Sequence, residues 1–265
     1  EAIELGCQVV SHCQVTRLDI KDGRLVGVFA QALQSNSQEP KGEFYVEATA
    51  VALCASATGT PAILQRSDIS DPSNTTGESL RLHPAVIVAG DFETPVKAWQ
   101  GIPQSYECTE FLDFDESAKQ DPHRLWIVPA FAHPVGTATF LPGIGNAHGG
   151  YMKRYAHLAV LSAMLHDETK GSVRPRGDLG ISLDYWPNES DRTELALGLW
   201  ACTKLLFAAG ATSVIIPNDP VEIIRRGDNF DYLKEFEIEK GLLELMAVHP
   251  MASVPMGDDP TKAAV

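Results

Sequence analysis

The stretch VALCASATGTPAILQRS, residues 51–67, joins an apolar run to a small-residue turn and then to a helix-forming segment. Residues 50–55 are apolar without interruption, which predicts a strand buried on both faces of an α/β sheet. Thr60 can cap the following helix, with Pro61 at its first position. A buried strand that turns through small residues into a helix is typical of nucleotide-binding domains. We therefore predict part of such a domain here.

The residues before this stretch carry a β pattern. Residues 1–5 can close a helix that Gly6 terminates. Asp22-Gly23 is a two-residue hairpin signal between two runs rich in β-branched and apolar residues. We predict strands over residues 13–20, 25–31 and 43–48.

The residues after the stretch begin with a turn-rich crossing, 68–77, which is typical of a passage between domains. Beyond it lie several β-like runs without intervening helices, which predict an antiparallel sheet. These runs cover residues 85–92, 104–111, 125–131, 157–166 and 181–185. Between two of them, residues 136–155 predict an excursion that contains a helix.

The clearest helix prediction covers residues 191–209. Asp191 and Glu194 have the spacing of a capping pair, and Gly210 stands where a helix commonly ends. One apolar stripe at helical spacing predicts the buried face. Its members are Leu195, Leu199, Cys202 and Leu206.

Composition narrows the class of protein. The net charge of -14 argues against a nucleic-acid partner, because no basic surplus is present to neutralise phosphates. No run of about 18 apolar residues occurs, so we predict no membrane span. The five cysteines form no Cys-x-x-Cys pair and are predicted to be reduced thiols, and we expect a cytoplasmic protein. The chain begins at Glu1 without Met, and we expect it to be an internal piece of a longer protein.

A second stretch, AVHPMASVPMG, residues 247–257, places a histidine after an apolar segment and before a proline. An imidazole fixed at such a junction can face a cavity while its neighbours hold its rotamer, which is how a general base is positioned. From the local sequence alone, a satisfied core residue is the more common role of a histidine on an apolar segment. The function of this histidine therefore depends on what surrounds it.

Together the two stretches resemble the glucose–methanol–choline (GMC) family of flavoprotein oxidoreductases. The family carries an apolar strand, a small-residue turn, Thr-Pro and Leu-Leu-x-x-Ser, and later a His-Pro-x-Gly-Thr-x-x-Met-Gly motif. Leu82-His83-Pro84 and residues 171–175, GSVRP, are similar to further landmarks. The resemblance covers nearly the whole chain and is greatest to the long-chain-alcohol-oxidase-like branch.

The resemblance implies an FAD-dependent enzyme that removes hydride from an alcohol, with His249 as the base. It also implies that Ala55, Ser56 and Thr60 bring backbone near the dinucleotide and that Val15 meets the adenine through backbone atoms. Simple strand and turn packing is the alternative role for these four residues. His83 is expected either near the flavin edge or at a domain hinge.

The expected fold class is α/β, with a partial FAD-binding Rossmann-like domain and an α+β substrate domain that contains an antiparallel sheet. Residues 1–78 and 235–265 are assigned to the first domain and residues 79–234 to the second. The substrate is expected to be a hydrophobic alcohol, and the electron acceptor oxygen or another compound. A dehydrogenase with a non-oxygen acceptor and a catalytically inactive folding or binding module are the alternatives.

The sequence also departs from the family pattern. Ala252-Ser253 stands where Gly-Thr is usual, and Pro255 precedes Met-Gly. No Gly-x-Gly-x-x-Gly follows an N-terminal strand, and the family's second catalytic histidine or asparagine is expected beyond Val265. On these grounds the chain is expected to be truncated at both ends and to bind FAD poorly by itself.

Other classes of site are disfavoured by their patterns. Four histidines are spread over separate segments, so we predict no metal site. They are His133, His148, His157 and His166. No Gly-x-Ser-x-Gly elbow is present for a hydrolase triad.

Overall fold

The computed structural model describes residues 1–67, 69, 71–102, 104–115 and 122–264. The chain divides into two compact units. Unit 1 contains Glu1–Arg81, Lys170–Tyr185 and Pro250–Val265, and unit 2 contains Leu82–Thr169 and Trp186–His249. Both units combine helices with antiparallel sheets, as the predicted fold class requires. The predicted assignment of cofactor and substrate binding to particular segments stays a prediction.

Unit 1 contains a three-stranded antiparallel sheet in the order β1-β2-β3. The strands are β1 (Cys13–Lys21), β2 (Arg24–Leu33) and β3 (Pro40–Glu47). The predicted hairpin at Asp22-Gly23 is confirmed, because Lys21 pairs with Arg24 and both turn residues have positive φ, 50° and 73°. A second pair of antiparallel strands is formed by β7 (Ser172–Arg176) and β8 (Gly180–Asp184).

The helix of unit 1, α1 (Ser56–Arg66), is fastened to β1 at its C-terminal end. The Ser67 hydroxyl donates to the Ile63 carbonyl at 2.6 Å and accepts the Leu18 N–H at 2.8 Å. Leu18, Val28 and Ile63 are buried together, with half-buried Val51 and Leu53 packed against them. Ser67 thus satisfies an amide of the sheet edge while the apolar cluster holds the helix on the sheet.

Three predictions for unit 1 are wrong. Residues 1–5 form no helix but a single turn, in which Leu5 N–H donates to Glu1 O at 3.1 Å. Residues 50–55 are not a strand, and only Val51 and Leu53 of this run are half-buried. Nothing pairs with this run in the described part of the chain, so no β ladder can form. The helix begins at Ser56, which places Pro61 inside it instead of at its start.

Unit 2 is built on an antiparallel sheet in the order β10-β9-β4-β6-β5, with β11 also paired to β4. The strands are β4 (Pro84–Asp91), β5 (Leu125–Ala130), β6 (Leu158–Leu165), β9 (Ser213–Ile216), β10 (Glu222–Arg225) and β11 (Met246–Ala247). The strands predicted over residues 85–92, 125–131 and 157–166 are confirmed. Residues 104–111 are not a strand, because two successive exposed residues, Thr109 and Glu110, break the period of two and only Cys108 bridges to Ile127.

The long helix α4 (Glu189–Ala209) covers one face of this sheet. Its predicted stripe is confirmed, since Leu195, Leu199, Cys202 and Leu206 are all buried. Alternate sheet residues pack against the stripe, among them Val86, Val88, Leu125, Ile127, Val214 and Ile216. Gly210 has φ 110° and ends the helix as predicted.

The predicted capping pair of α4 is wrong. Asn188 is the N-cap, and its side chain accepts the Asp191 N–H at 2.8 Å. Asp191 is fully buried, where its carboxylate accepts from Arg124 at 2.9 Å and from Thr169. Burial alone would raise the pKa of Asp191, but the hydrogen bonds from Thr169, the Glu168 backbone and Arg124 outweigh it and lower that pKa.

The predicted helical excursion is confirmed as two short helices, α2 (Pro134–Phe140) and α3 (Asn146–Lys153). Among the described residues, none of the helices combines the length and apolar character that crossing a bilayer needs.

Candidate functional site

A two-residue strand pairing brings two distant histidines together in unit 2. Met246 pairs with Ala85 and Ala247 with Pro84, and the Val248 N–H donates to the Leu82 carbonyl at 3.1 Å. His83 and His249 therefore flank the same end of this ladder. Their Nδ1 atoms lie 2.7 Å apart, and the rings stack with centroids 4.9 Å apart at 29°.

The two rings have different surroundings. His249 is exposed and His83 is half-buried. Burial lowers the pKa of His83 from its usual 6.5, and the neighbouring His249 lowers it further. Asp167, which also accepts the Leu82 N–H at 3.1 Å, opposes this change and His166 adds to it. The net result favours a neutral His83 near pH 7.

The short distance between the nitrogens limits the protonation of the pair. A 2.7 Å Nδ1–Nδ1 contact is a hydrogen bond only when one nitrogen carries the proton and the other presents a lone pair. A doubly charged pair would place two N–H groups against each other. The pair can thus hold the bridging proton and gain one more, which suits a single proton transfer.

The sheet face opposite α4 is apolar, and one of its residues, Met246, lies near His249 in the sequence. A cavity of about 80 Å³ lies on it. Its lining includes Ile87, Ala89, Ala130, Phe131, Phe140, Leu158, Val160, Ile215 and Met246. Met246 precedes His249 by three residues, so one segment supplies both an apolar contact and an imidazole. A volume well below the about 300 Å³ of a complete ligand pocket suits part of a substrate.

In unit 1, the first turn of α1 has no side-chain cap. Ala55 and Ser56 are exposed, and Ser56 has φ 65°. The prediction that Thr60 caps the helix is wrong. Thr60 lies inside the helix, and its hydroxyl accepts the Ala55 N–H at 3.2 Å. Small side chains and uncapped amide groups leave room and donors for an anionic or carbonyl group at this end of the helix.

Pro61 links this turn to the second sequence motif. Proline has no N–H, so the carbonyl four residues earlier, that of Ala57, loses its helical partner. The Ser253 hydroxyl donates to that carbonyl, and the Ser253 carbonyl accepts the Gly77 N–H at 2.7 Å. The two stretches that carry the family resemblance are thus bonded to each other at Ala57 and Ser253.

Val15 lies on β1, which has a neighbouring strand on one side only within the described ranges. It pairs with Ala30, and the register shifts between Val15 and Arg17. Its half-buried side chain packs on the Leu18 cluster, which also contacts Leu53. Val15 therefore shares a neighbourhood with the segment that leads into α1, and its backbone stands at a sheet edge.

The structure thus joins Val15 to the approach of α1, Ala55 to Thr60, and His249 to His83. The pairing of the histidines is not predictable from the sequence, although His83 and His249 both precede proline. That signal is not specific, because His133 also precedes proline. The His133 imidazole caps α2 by accepting the Gly136 N–H at 3.3 Å.

The remaining histidines of interest have local roles. The Nδ1 atoms of His148 and His157 lie within hydrogen-bonding distance of backbone carbonyl oxygens, at 3.1 Å and 3.0 Å. No group of three or more histidine, cysteine or acidic side chains in metal-binding proximity occurs within the described residues.

The chain is similar to known proteins in its fold and in part of its sequence. The fold is similar to a solved FAD-dependent oxidoreductase from Chaetomium thermophilum, with a TM-score of 0.54 and 13% identity over 97% of this chain and 54% of that one. A family model described as GMC oxidoreductase matches residues 1–85. The likeness to the solved structure shows the fold, and the family model matches about the first third of the chain.

The sequence relatives match nearly the whole chain. An uncharacterized GMC-type oxidoreductase of Mycobacterium tuberculosis is 30% identical over 98% of this chain, and a long-chain-alcohol oxidase of Arabidopsis thaliana is 24% identical over 100% of it. The chain is thus similar to GMC oxidoreductases over nearly its whole length, and this similarity implies FAD as the cofactor. It spans 38% of the length of each of these two relatives.

Two features of unit 1 fit such a cofactor. The first is the uncapped start of α1, whose small residues leave backbone amides accessible. The second is a cavity of about 560 Å³ with both polar and apolar lining residues, among them Gln65, Asp71 and Arg174. The Gln65 Oε1 atom is buried there without a partner in the described residues, while Nε2 donates to Thr76 O at 2.7 Å. A buried acceptor without a donor is expected where a ligand supplies one.

Proposed function

We propose that the protein, as part of its complete flavoenzyme, oxidises an alcohol with His249 as the general base. The observation that carries this proposal is the exposed imidazole of His249, held at 2.7 Å by His83, in a segment whose Met246 lines an apolar cavity. A base must be accessible to the substrate and fixed in orientation, and His249 meets both conditions.

Each part of the reaction has a residue that suits it. FAD, when bound, supplies the acceptor for the hydride that leaves the alcohol carbon. His249 takes the hydroxyl proton, which makes that carbon a better hydride donor. Its solvent-exposed position lets the proton leave afterwards.

The cofactor-binding residues that we propose are Val15, Ala55, Ser56 and Thr60. Ala55 and Ser56 offer exposed backbone at the uncapped start of α1, and Thr60 orders that backbone through its bond to the Ala55 N–H. Val15 offers backbone at the sheet edge. The contribution of these residues is close approach, for which small side chains are needed.

The substrate that we propose is a hydrophobic alcohol. The cavity beside Met246 is lined almost wholly by aliphatic and aromatic side chains. An apolar chain bound there would gain about 0.8 kcal/mol for each buried CH₂ group, which is about fourfold in affinity. The named activity of the Arabidopsis thaliana relative, a long-chain-alcohol oxidase, supports the same class of substrate.

The test is the substitution His249→Asn in the complete flavoenzyme. Anaerobic mixing with a series of primary alcohols, followed by flavin absorbance, should show reduction slowed by about 10²-fold or more. His12→Asn is the matched control, since His12 is also exposed, and it should leave the rate unchanged. Equal rates in the His249→Asn variant and the unmodified enzyme would remove His249 from the base role.

The electron acceptor is tested separately. Oxygen uptake during turnover would identify an oxidase, and turnover with a quinone but not with oxygen would identify a dehydrogenase. A purified complete protein without flavin absorbance would favour the inactive module.

A further inference from the structure

We propose that His83 is a positioning residue that keeps the proton of neutral His249 on Nδ1 and so leaves Nε2 free to accept the alcohol proton. This inference rests on the proposed function for its consequence, but the tautomer itself is a property of the two rings. The observation behind it is the 2.7 Å contact between the Nδ1 atoms of the two stacked rings.

Only two arrangements of one bridging proton satisfy this contact. If His83 donates, the Nδ1 atom of His249 is the acceptor and its Nε2 already carries the ring's proton, so neutral His249 has no free lone pair. If His249 donates, its Nε2 is unprotonated and can act as a base. The same ring cannot be a base in both arrangements.

The surroundings favour His249 as the donor. Burial and the neighbouring His249 lower the pKa of half-buried His83 against the opposing effect of Asp167, so His83 is the ring that stays neutral when the pair gains a proton, and its Nδ1 then presents a lone pair to His249. The groups that act on His83 are His249, Asp167 and His166. His249 is exposed, so the added charge after proton transfer is placed on the better hydrated ring.

The hydrogen bond also becomes stronger as the reaction proceeds. When Nε2 of His249 accepts the proton from the alcohol oxygen, its Nδ1–H becomes a donor on a cation. Charge-assisted hydrogen bonds are roughly twice as strong as neutral ones. The lone pair of His83 therefore stabilises the protonated base more than the neutral one, which lowers the barrier.

The backbone of His83 supports a specific role. Its φ is 49°, in the left-handed region that residues other than glycine rarely adopt. Strain of this kind persists where the surrounding structure holds it and is common at functional sites. Here the Leu82 amide bonded to Asp167 and the Val248 amide bonded to Leu82 hold the segment in place.

The left-handed backbone decides which variants test the idea. Glycine and asparagine both tolerate positive φ, so neither should strain the fold. His83→Asn retains an oxygen that can accept from His249, and His83→Gly removes the acceptor. The two variants thus differ mainly in the hydrogen bond under test.

The experiment is nitrogen NMR of the complete flavoenzyme with ¹⁵N-labelled histidine, with His249 assigned by its loss in His249→Asn. We expect the Nδ1–H tautomer of His249 in the unmodified protein and in His83→Asn, and a shift toward the Nε2–H tautomer in His83→Gly. Flavin reduction should fall about 10–100-fold in His83→Gly, the usual effect of losing a partner that orients a functional histidine, and much less in His83→Asn.

The outcomes separate this inference from the proposed function. An Nε2–H tautomer in the unmodified protein overturns the role of His83, whatever the kinetics show. An Nδ1–H tautomer that persists in His83→Gly also overturns it. The expected tautomers combined with unchanged reduction in His249→Asn would support the positioning and reject the base.

Discussion

The starts of α1 and α4 are built in opposite ways. Helix α4 begins with Asn188, whose side chain caps the Asp191 amide, and continues into a fully buried stripe. Helix α1 begins at Ala55 without a side-chain cap, with exposed small residues and a positive φ at Ser56. One helix start is capped by a neighbouring side chain, and the other has no side-chain cap among the described residues and keeps a positive φ.

This difference separates stability from function. The caps, stripe and buried ion pair of α4 are satisfied without a ligand, and one buried hydroxyl of this helix, Thr203 Oγ1, has no partner in the described residues. The start of α1 has no side-chain cap and contains a residue with positive φ, and both features lower the stability of the helix. This is the pattern expected where the end of a helix binds a ligand. Substitutions that act on the two helices should therefore differ in size and in sign.

The largest effect is expected at Asp191. Asp191→Ala leaves the guanidinium of Arg124, only 4% exposed, without its buried carboxylate, and should lower the free energy of unfolding by about 3–5 kcal/mol. The lowered pKa of Asp191 gives a sign for pH. Its stabilisation is present above the unfolded value near 3.8 and is lost as the pH falls through the folded value. Urea unfolding at pH 7 and below pH 4 measures both effects.

The control for Asp191 is Glu189→Ala, an exposed acidic residue in the same first turn, which should cost only about 0.3–1 kcal/mol. Equal losses from the two substitutions would show that the buried pair has no special weight.

A medium effect is expected at Gly198, where α4 lies close to the sheet. A Cβ atom at this position would be 2.9 Å from Ala163 Cβ and 3.3 Å from a Val86 methyl, so Gly198→Ala should destabilise by about 1–3 kcal/mol. In α1, Gly59→Ala would meet only Ala55 Cβ, at 3.0 Å, at an exposed end that can shift. Denaturation midpoints should fall for the first and change little for the second. Similar midpoints would mean that α4 has more freedom than its packing indicates.

The smallest effects are expected at the helix starts themselves. Asn188→Ala removes the cap of α4 and should cost about 1 kcal/mol. Ser56→Gly relieves the positive φ at the start of α1 and should stabilise by up to about 1 kcal/mol. Opposite shifts in the unfolding free energy are the expected result, and a loss of stability in Ser56→Gly would contradict the assignment of strain to α1.

The sequence predicts the elements that repeat one period over many residues. The stripe of α4 is of this kind, whereas the hairpin at Asp22-Gly23 is predicted by a specific two-residue turn signal, and both are confirmed. The cap of α4 is not predictable, because Asn188, Ser190 and Asp191 are all good N-cap residues. The choice is made by Arg124, which draws Asp191 into the core from 67 positions away in the chain. The short run 50–55 fails for a related reason, since an apolar segment becomes a strand only where another strand lies beside it.

The candidate site is predictable only in its parts. His249 stands out because a motif surrounds it, and Ala55 and Thr60 stand out because of the turn that contains them. The contact of His249 with His83 depends on a two-residue ladder, in which Met246 pairs with Ala85 and Ala247 with Pro84. So short a pairing between distant segments leaves no local pattern in the sequence. His83 and His249 are 166 positions apart, so their contact becomes visible only in the folded structure.

The bond between Ser253 and Ala57 has a consequence for the order of events during synthesis. Pro61 leaves a gap in α1 that is filled by a hydroxyl 196 positions further along the chain. At about 5–20 residues per second, a ribosome needs roughly 10–40 seconds to add that many residues. Until Ser253 has been synthesised, the Ala57 carbonyl of α1 can bond only to water. The Ser253 hydroxyl then supplies the missing hydrogen bond of a helical turn that was synthesised much earlier.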